Sequence, residues 1–220
     1  MSLELATELF KYKIQVVCIK EIRWKEQKAS ILKGYNLWYV GLDGKQSGVD
    51  ILVANDILKQ VVEVRRCNDR IMLVRIVVGE EVISIISVYG PQVGLDEKVK
   101  REFWDYLCDL IDTIPADEKV FICGDFNGHI GKETVNYNLV HDGFGYGVRN
   151  ESGEILLEFA LVKELVIANS IFRKNDEHLI TYKSGGHATQ IDYCLVWKVD
   201  WSSCLDCKVM LGTKMPTQHI

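Results

Sequence analysis

The sequence predicts an α/β protein, a layered sandwich of helices on mixed or antiparallel sheets. Three observations point there. Short β-branched runs recur along the chain and are divided by turn residues, as hairpin-linked strands are. A few stretches instead repeat apolar residues every three or four positions. Strands and helices do not alternate strictly, which argues against a doubly wound nucleotide-binding sheet. The composition allows a real core: 220 residues, 48% hydrophobic and 26% charged with three prolines, exclude a disordered, collagen-like or low-complexity chain. At this length folding removes roughly 70% of the unfolded chain's surface from water, so no metal or disulfide staple is required. With no internal repeat, heptad series or linker, residues 1–220 are expected to form one domain.

Leu5, Ala6, Leu9 and Phe10 recur at helical spacing, so residues 3–12 are expected to form a short amphipathic helix. Residues 14–19 make a nearly continuous β-branched run, the mark of a strand buried on both faces. Strands follow at 35–40, 49–54, 60–65, 71–78 and 82–88, with Asp43-Gly44, Asn68-Asp69 and Gly79-Glu80 as turns. Gly90-Pro91 ends this series. From 96 to 114, Val99, Phe103, Trp104, Leu107, Leu110 and Ile111 line one stripe of a helix that Pro115 stops. Residues 120–123 read as another buried strand, delivering Gly124-Asp125-Phe126-Asn127-Gly128. A Gly-rich loop then spans 128–153, and a second core-facing helix is expected at 155–165. Short strands at 166–168, 179–182, 191–197 and 208–211 complete the order.

A net charge of −5 argues against a charge-driven coat for DNA or RNA. It leaves room for an enzyme that grips nucleic acid locally and supplies positive charge with a metal ion. No apolar run reaches the ~18 residues that span a bilayer. Met1-Ser2-Leu3-Glu4 has no basic region followed by an apolar stretch, so a secretory signal is not expected either. The seven cysteines, at 18, 67, 108, 123, 194, 204 and 207, are odd in number and several lie in apolar runs. They read as reduced, buried thiols of a cytosolic or nuclear protein. Only Cys204-Leu-Asp-Cys207 has metal-like spacing; a zinc site needs a second pair, so two thiols at a strand entrance is the preferred reading.

Acidic and amide side chains recur where buried strands end. Glu21 follows one strand, Asp125 and Asn127 follow another, and Asp192 sits between Ile191 and Tyr193 at the start of a third. Strand ends are rigid supports for a shared crevice. Hard oxygen ligands of this kind suit Mg²⁺, and with a histidine they supply the parts for phosphoester hydrolysis. Each residue also has a plainer reading. Glu21 could be a solvated charge, and Asp125-Phe-Asn127-Gly128 an Asx-type turn. A carboxylate at Asp192 in a core strand needs a partner, for which a histidine is natural. His219, close to the last residue, would ordinarily be frayed. His129, His141, His178 and His187 fall in polar, Gly-rich stretches and are expected to be solvated. Gly143-Phe-Gly145-Tyr-Gly147 lacks the strand and Lys-Ser/Thr of a phosphate cradle and reads as a flexible loop.

Taken together, Gly124-Asp125-Phe126-Asn127, Ser87-Val88-Tyr89-Gly90-Pro91 and Gln190-Ile191-Asp192-Tyr193 resemble the endonuclease/exonuclease/phosphatase superfamily. That is the DNase I-like fold of abasic-site and LINE-type retrotransposon endonucleases, a four-layer α/β-sandwich. Residues 91–104, Gly143-Phe-Gly-Tyr-Gly147 and Thr181-Tyr-Lys-Ser-Gly-Gly186 are similar to its RTE-type, retrotransposon-derived branch. The resemblance implies Glu21 as the metal carboxylate, for Mg²⁺ or alternatively Mn²⁺, and Tyr89 as a contact to the scissile phosphate. It implies Asp125 as the residue that positions or deprotonates water, and Asn127 as the amide on phosphate and water. Asp192 would orient the catalytic imidazole of His219, and Thr181 and Lys183 would face DNA. The expected reaction is in-line attack of water on a DNA phosphodiester, leaving 5′-phosphate and 3′-hydroxyl ends. The expected setting is a monomer in the nucleus or cytoplasm, with no membrane partner.

Departures from the pattern are also visible. The first and last core strands of the family, and the metal-supporting Asn of the first, are expected to be missing. Gln218 stands where many relatives carry Asp, Lys20 and Ile22 replace Gln and Thr, and Asp50 puts a charge into a core strand. Two alternatives therefore stand beside the endonuclease: an inactive remnant of the fold serving as a binding or chromatin-associated module, and an inositol or lipid phosphatase on the same fold.

Overall fold

The computed structural model describes residues 3–20, 29–32, 34–41 and 48–211. Its backbone separates into two compact units, one of Met1–Tyr89 with Ala116–Gly124, the other of Gly90–Pro115 with Asp125–Ile220. No helix among the described residues is long and apolar enough to cross a membrane.

The first unit begins with helix α1 (Leu3–Lys11) and strands β1 (Val16–Lys20), β2 (Ala29–Leu32), β3 (Tyr35–Gly41) and β4 (Gly48–Ala54). These strands form an antiparallel sheet in the order β1-β4-β3-β2. A second sheet carries β5 (Val61–Asn68), β6 (Ile71–Val78), β7 (Glu81–Tyr89) and β8 (Lys119–Asp125), neighbours in chain order. Every residue of β4 is buried. Val49, Ile51 and Val53 face Met72, Val74 and Ile76 of β6. On the opposite face, Leu52 and Ala54 join Leu9 of α1 with Tyr35 and Leu37 of β3. An antiparallel strand covered on both faces reads as a continuous apolar run, which is why 49–54 was legible. Asp50 lies buried within that run, on the face of Leu52 and Ala54.

One row of polar side chains crosses the second sheet. Glu63 on β5 lies opposite Arg75 on β6, and Arg75 lies opposite Ser84 on β7. Arg75 Nη1 donates to Glu63 at 3.0 Å and Nη2 pairs with Glu118, just before β8, at 2.8 Å. The Ser84 hydroxyl donates to Glu118 Oε2 at 2.7 Å. The guanidinium thus serves two carboxylates through the planar fork that distinguishes Arg from Lys.

The second unit holds α2 (Glu97–Asp112), α3 (Glu151–Val162), and strands β9 (Leu165–Ile167), β10 (Tyr182–Ser184), β11 (His187–Thr189) and β12 (Asp192–Trp197). Asp96 caps α2 by accepting from Lys98 N at 2.7 Å. Asn150 caps α3 by accepting from Gly153 N at 2.8 Å. That cap starts α3 at Glu151, earlier than its apolar stripe suggests. Trp104 packs against Phe103, Phe159 and Phe126, with ring centroids 5.2, 5.2 and 6.2 Å apart. β12 pairs antiparallel with β9, and β10 pairs with β11 through a turn at Gly185-Gly186.

Several expectations are corrected. Residues 208–211 are not a strand: Val209 N donates to His178 O at 2.8 Å, and residue 178 belongs to a helical turn that offers no ladder to extend. Cys204 and Cys207 therefore flank a loop rather than a strand entrance. The strand expected at 179–182 begins at Tyr182, because Leu179 and Ile180 still donate back to Asp176 O. The seven thiols are free and half-buried rather than buried. β2 and β11, of four and three residues, were too short to register as strands in the pattern.

Candidate active site

β8 ends in a loop whose shape is set by close backbone contacts. Gly124 has φ +150°, and a Cβ there would lie 2.0 Å from Val88 O, so no side chain fits. Asp125 follows, buried to 2% exposure. Its Oδ1 accepts from Asn127 N at 2.7 Å, the Asx turn that the sequence left open. Asn127 takes φ +49°, a left-handed conformation that Asn tolerates better than most residues. Its Nδ2 donates to Gly90 O at 2.8 Å, and Gly90 N donates to Asp125 O at 2.6 Å. A Cβ on Gly90 would sit 2.8 Å from Phe126 O, so the two backbones meet only because this residue is Gly. Gly90 O can only accept, so the first of these bonds fixes which end of the Asn127 amide carries the donors.

Phe126 N donates to Ile191 O at 2.9 Å. The loop after β8 and the start of β12 therefore lie one strand spacing apart, about 4.8 Å. That places Asp125, Asn127 and Asp192 in one neighbourhood of the second unit. Asp192 is half-buried, and its backbone is held by side chains. Thr181 Oγ1 accepts from Ile191 N at 3.0 Å and from Asp192 N at 3.1 Å. Asn169 Nδ2 donates to Asp192 O at 3.3 Å while its Oδ1 accepts from Cys194 N at 2.7 Å. Tyr193, buried, turns its hydroxyl to Gln190 O at 2.7 Å and Gly128 O at 3.1 Å. Ile130 N donates to the same hydroxyl, and burial drives this phenol well above its ordinary pKa.

The other expected site residues are distributed as follows. Tyr89 is buried in the first unit, where its carbonyl accepts from Arg70 Nη1 at 3.1 Å and the guanidinium lies 5.3 Å from its ring centroid. Thr181 is buried to 5% with its hydroxyl directed to the backbone of 191 and 192. Lys183 is exposed on β10. Glu21, Gln218 and His219 lie outside the described residues. Among the described residues no three or more His, Cys, Asp or Glu side chains are grouped to hold a metal ion.

Two regions expected to be loose are pinned. His141 is buried rather than solvated: Nδ1 accepts from Gly143 N at 3.2 Å and Nε2 donates to Glu133 O at 2.9 Å. Its surroundings hold its pKa below 6.5, chiefly through burial. His178 is half-buried, its Nδ1 at 2.9 Å from Val209 O. The Gly143–Gly147 loop is tied down where Tyr146 N donates to the buried Gln190 Oε1 at 3.1 Å.

The fold is shared with solved nucleases. An AP endonuclease from Archaeoglobus fulgidus aligns with 98% of this chain and 88% of its own, at TM-score 0.68 and 16% identity. An AP endonuclease from Leishmania major aligns over 98% and 79%, at TM-score 0.71 and 12% identity. An endonuclease/exonuclease/phosphatase family protein from Leptotrichia buccalis has a similar fold, covering 88% of this chain and 79% of its own at TM-score 0.54 and 14% identity. The endonuclease domain of TRAS1, a telomere-specific non-LTR retrotransposon, also shares the fold, covering 90% of this chain and 80% of its own at TM-score 0.65 and 17% identity. In sequence the chain resembles craniofacial development protein 2, with 27% identity to the Bos taurus protein and 26% to that of Tragulus javanicus, each over 216 residues. The chain spans only 36% and 37% of the length of those relatives. No protein-family model matches it.

Sequence reading missed Asn169 and did not foresee that the Thr181 hydroxyl accepts from the backbone of 191 and 192. Both act on backbone groups of other segments, so neither periodicity nor charge marks them. The Asn169-Ser170 pair after a short strand is the one available signal, since such residues often bond to nearby backbone.

Proposed function

We propose that the chain is a divalent-metal-dependent phosphodiesterase that cleaves DNA. The observation that carries this reading is the Phe126 N to Ile191 O hydrogen bond, which sets Asp125 and Asn127 beside Asp192 on adjoining strand ends. The donor chemistry fits Mg²⁺, which takes one or two carboxylates and leaves the remaining positions to water and substrate oxygens. Glu21 is the carboxylate assigned to hold the ion, with Mn²⁺ as a substitute. The ion would offset charge on the scissile phosphate.

The chain's own residues supply the rest. Asp125, fixed by its bond to Asn127 N, orients the attacking water and accepts its proton. Asn127 Nδ2 has two protons; one goes to Gly90 O, and the reading assigns the second to a phosphate oxygen. Asp192 is assigned to orient the imidazole of His219, which the reading takes as the catalytic histidine. Tyr89 completes the phosphate contacts. Lys183, exposed beside the β10–β11 turn, meets the DNA backbone. Preorganised groups of this kind act without reorganising during the reaction.

Nicking of supercoiled plasmid tests the reading. With Mg²⁺, wild-type protein nicks; with EDTA it does not. Asp125→Ala lowers the rate by about 10²–10⁴-fold, the range for losing a positioned acid–base group. Equal nicking by both proteins rejects the site. Absence of nicking by folded protein favours the binding module, and release of phosphate from an inositol phosphate in its place favours the third reading.

A further inference from the structure

We propose that Thr181 and Asn169 are a positioning pair that fixes the backbone on both flanks of Asp192. The inference rests on the reading that Asp192 takes part in phosphodiester cleavage. β9 pairs with β12 only at Leu195, Val196 and Trp197, so that ladder stops before Asp192 is reached. Side chains take over where the ladder ends. The peptide between Ile191 and Asp192 is held at its oxygen by Phe126 N, 2.9 Å away, and at its N–H by Thr181 Oγ1, 3.1 Å away. The peptide between Asp192 and Tyr193 is held at its oxygen by Asn169 Nδ2, 3.3 Å away.

Thr181 does more than fill one bond. Its single oxygen receives the successive N–H groups of Ile191 and Asp192, at 3.0 and 3.1 Å. Two consecutive N–H groups converging on one acceptor make a nest-like bend, which an ordinary strand does not have. The hydroxyl is buried to 5% exposure, so water is poorly placed to replace it. Asn169 works as a short surrogate strand, donating to Asp192 and accepting from Cys194 as a paired residue would. Together they fix the direction in which the Asp192 carboxylate leaves the backbone. A carboxylate that must aim at one ring nitrogen is sensitive to such a tilt, because misplacement by about 1 Å costs on the order of 10²-fold in rate.

The test uses the full chain with Thr181→Val, Thr181→Ser, Asn169→Asp and Asp192→Ala. Valine keeps the shape of threonine without the acceptor, serine keeps the acceptor, and aspartate at 169 removes the donor to Asp192 O. Amide hydrogen exchange gives a readout apart from activity: Thr181→Val speeds exchange at Ile191 and Asp192 by about tenfold, the equivalent of one net hydrogen bond, and Thr181→Ser does not. In nicking, Thr181→Val and Asn169→Asp lower kcat by roughly 10–100-fold, as supporting partners of a site do, with KM unchanged and Thr181→Ser restoring the rate.

Unchanged exchange in Thr181→Val overturns the proposal. So does wild-type kcat in Thr181→Val and Asn169→Asp when Asp192→Ala is inactive, an outcome that leaves the cleavage reading intact. Wild-type nicking by Asp192→Ala, or none by any protein, removes the cleavage reading instead, and exchange at residues 191 and 192 then decides the clamp alone. Should Thr181→Val fail to fold, Asn169→Asp against Thr181→Ser carries both readouts.

Discussion

In the first unit, Glu63, Arg75, Ser84 and Glu118 answer one another across four segments, side chain to side chain. In the second, Asn127, His141, Asn150, Asn169 and Thr181 bond instead to backbone groups of loops and strand ends. The first unit is built from strands of up to nine residues whose ladders satisfy the backbone. Its polar side chains are left to pair among themselves on the sheet surface. The second has strands of three to six residues and long connections, so its backbone groups outnumber its ladders. Amide and hydroxyl side chains cover the shortfall. Loops of the second kind can turn donors and carboxylates inward, as regular ladders cannot.

Three substitutions sharpen that contrast. The largest effect is expected in the first unit. Glu118→Ala leaves the Arg75 guanidinium, 20% exposed, with Glu63 alone and strips Ser84 of its acceptor. Stability measured by denaturant unfolding should fall by about 2–3 kcal/mol, somewhat below a fully buried pair. A change under about 0.5 kcal/mol would mean the row is surface ornament and the contrast is false.

A smaller effect is expected from Asn150→Ala in the second unit. Asn150 Oδ1 receives both Gly153 N and His129 N, at 2.8 and 2.9 Å, so its loss frees a helix cap and a loop together. The cost should be about 1–2 kcal/mol, and Asn150→Asp should recover most of it.

The smallest effect is a pH dependence at His141. In the folded chain its pKa is depressed, mainly by burial, so the unfolded chain binds the proton more readily. The contribution is full above the ordinary value of 6.5 and drains away as pH falls through the lower folded pKa. Protonation would also set a new N–H against Gly143 N. Between about pH 7.5 and 5.5, His141→Gln should lose less stability than wild type, by under about 1.4 kcal/mol per pH unit. Equal slopes would show that folding does not shift the ring's titration and that it is not buried in solution.

What the sequence disclosed follows from the same contrast. Residues 71–78 matched β6 end to end because a strand buried in a ladder writes its pattern into its own residues. Of the α2 stripe, Phe103, Leu107, Leu110 and Ile111 are buried as the spacing required, while Trp104 is half-buried and Val99 is exposed. Asp125 and Asn127 were legible because an Asx turn is local, spanning three residues. His141 and Thr181 were not legible in this way. Their partners, Glu133 O and the N–H groups of 191 and 192, are backbone atoms several residues away, and no side-chain pattern announces a backbone partner. The strand expected at 208–211 failed for the converse reason: an apolar run needs a neighbouring ladder, and Val209 finds a single carbonyl.

The β10–β11 turn has a practical use. Gly185 and Gly186 take φ +55° and +80°, the pair of signs of a type I′ turn, and a Cβ at either would meet nothing within 4 Å. A fluorophore or spin probe carried on Asn or Asp-compatible chemistry at this tip would disturb no packing around it. Two residues from Lys183, such a reporter would register the arrival of a polyanion directly, even in a variant whose chemistry has been silenced.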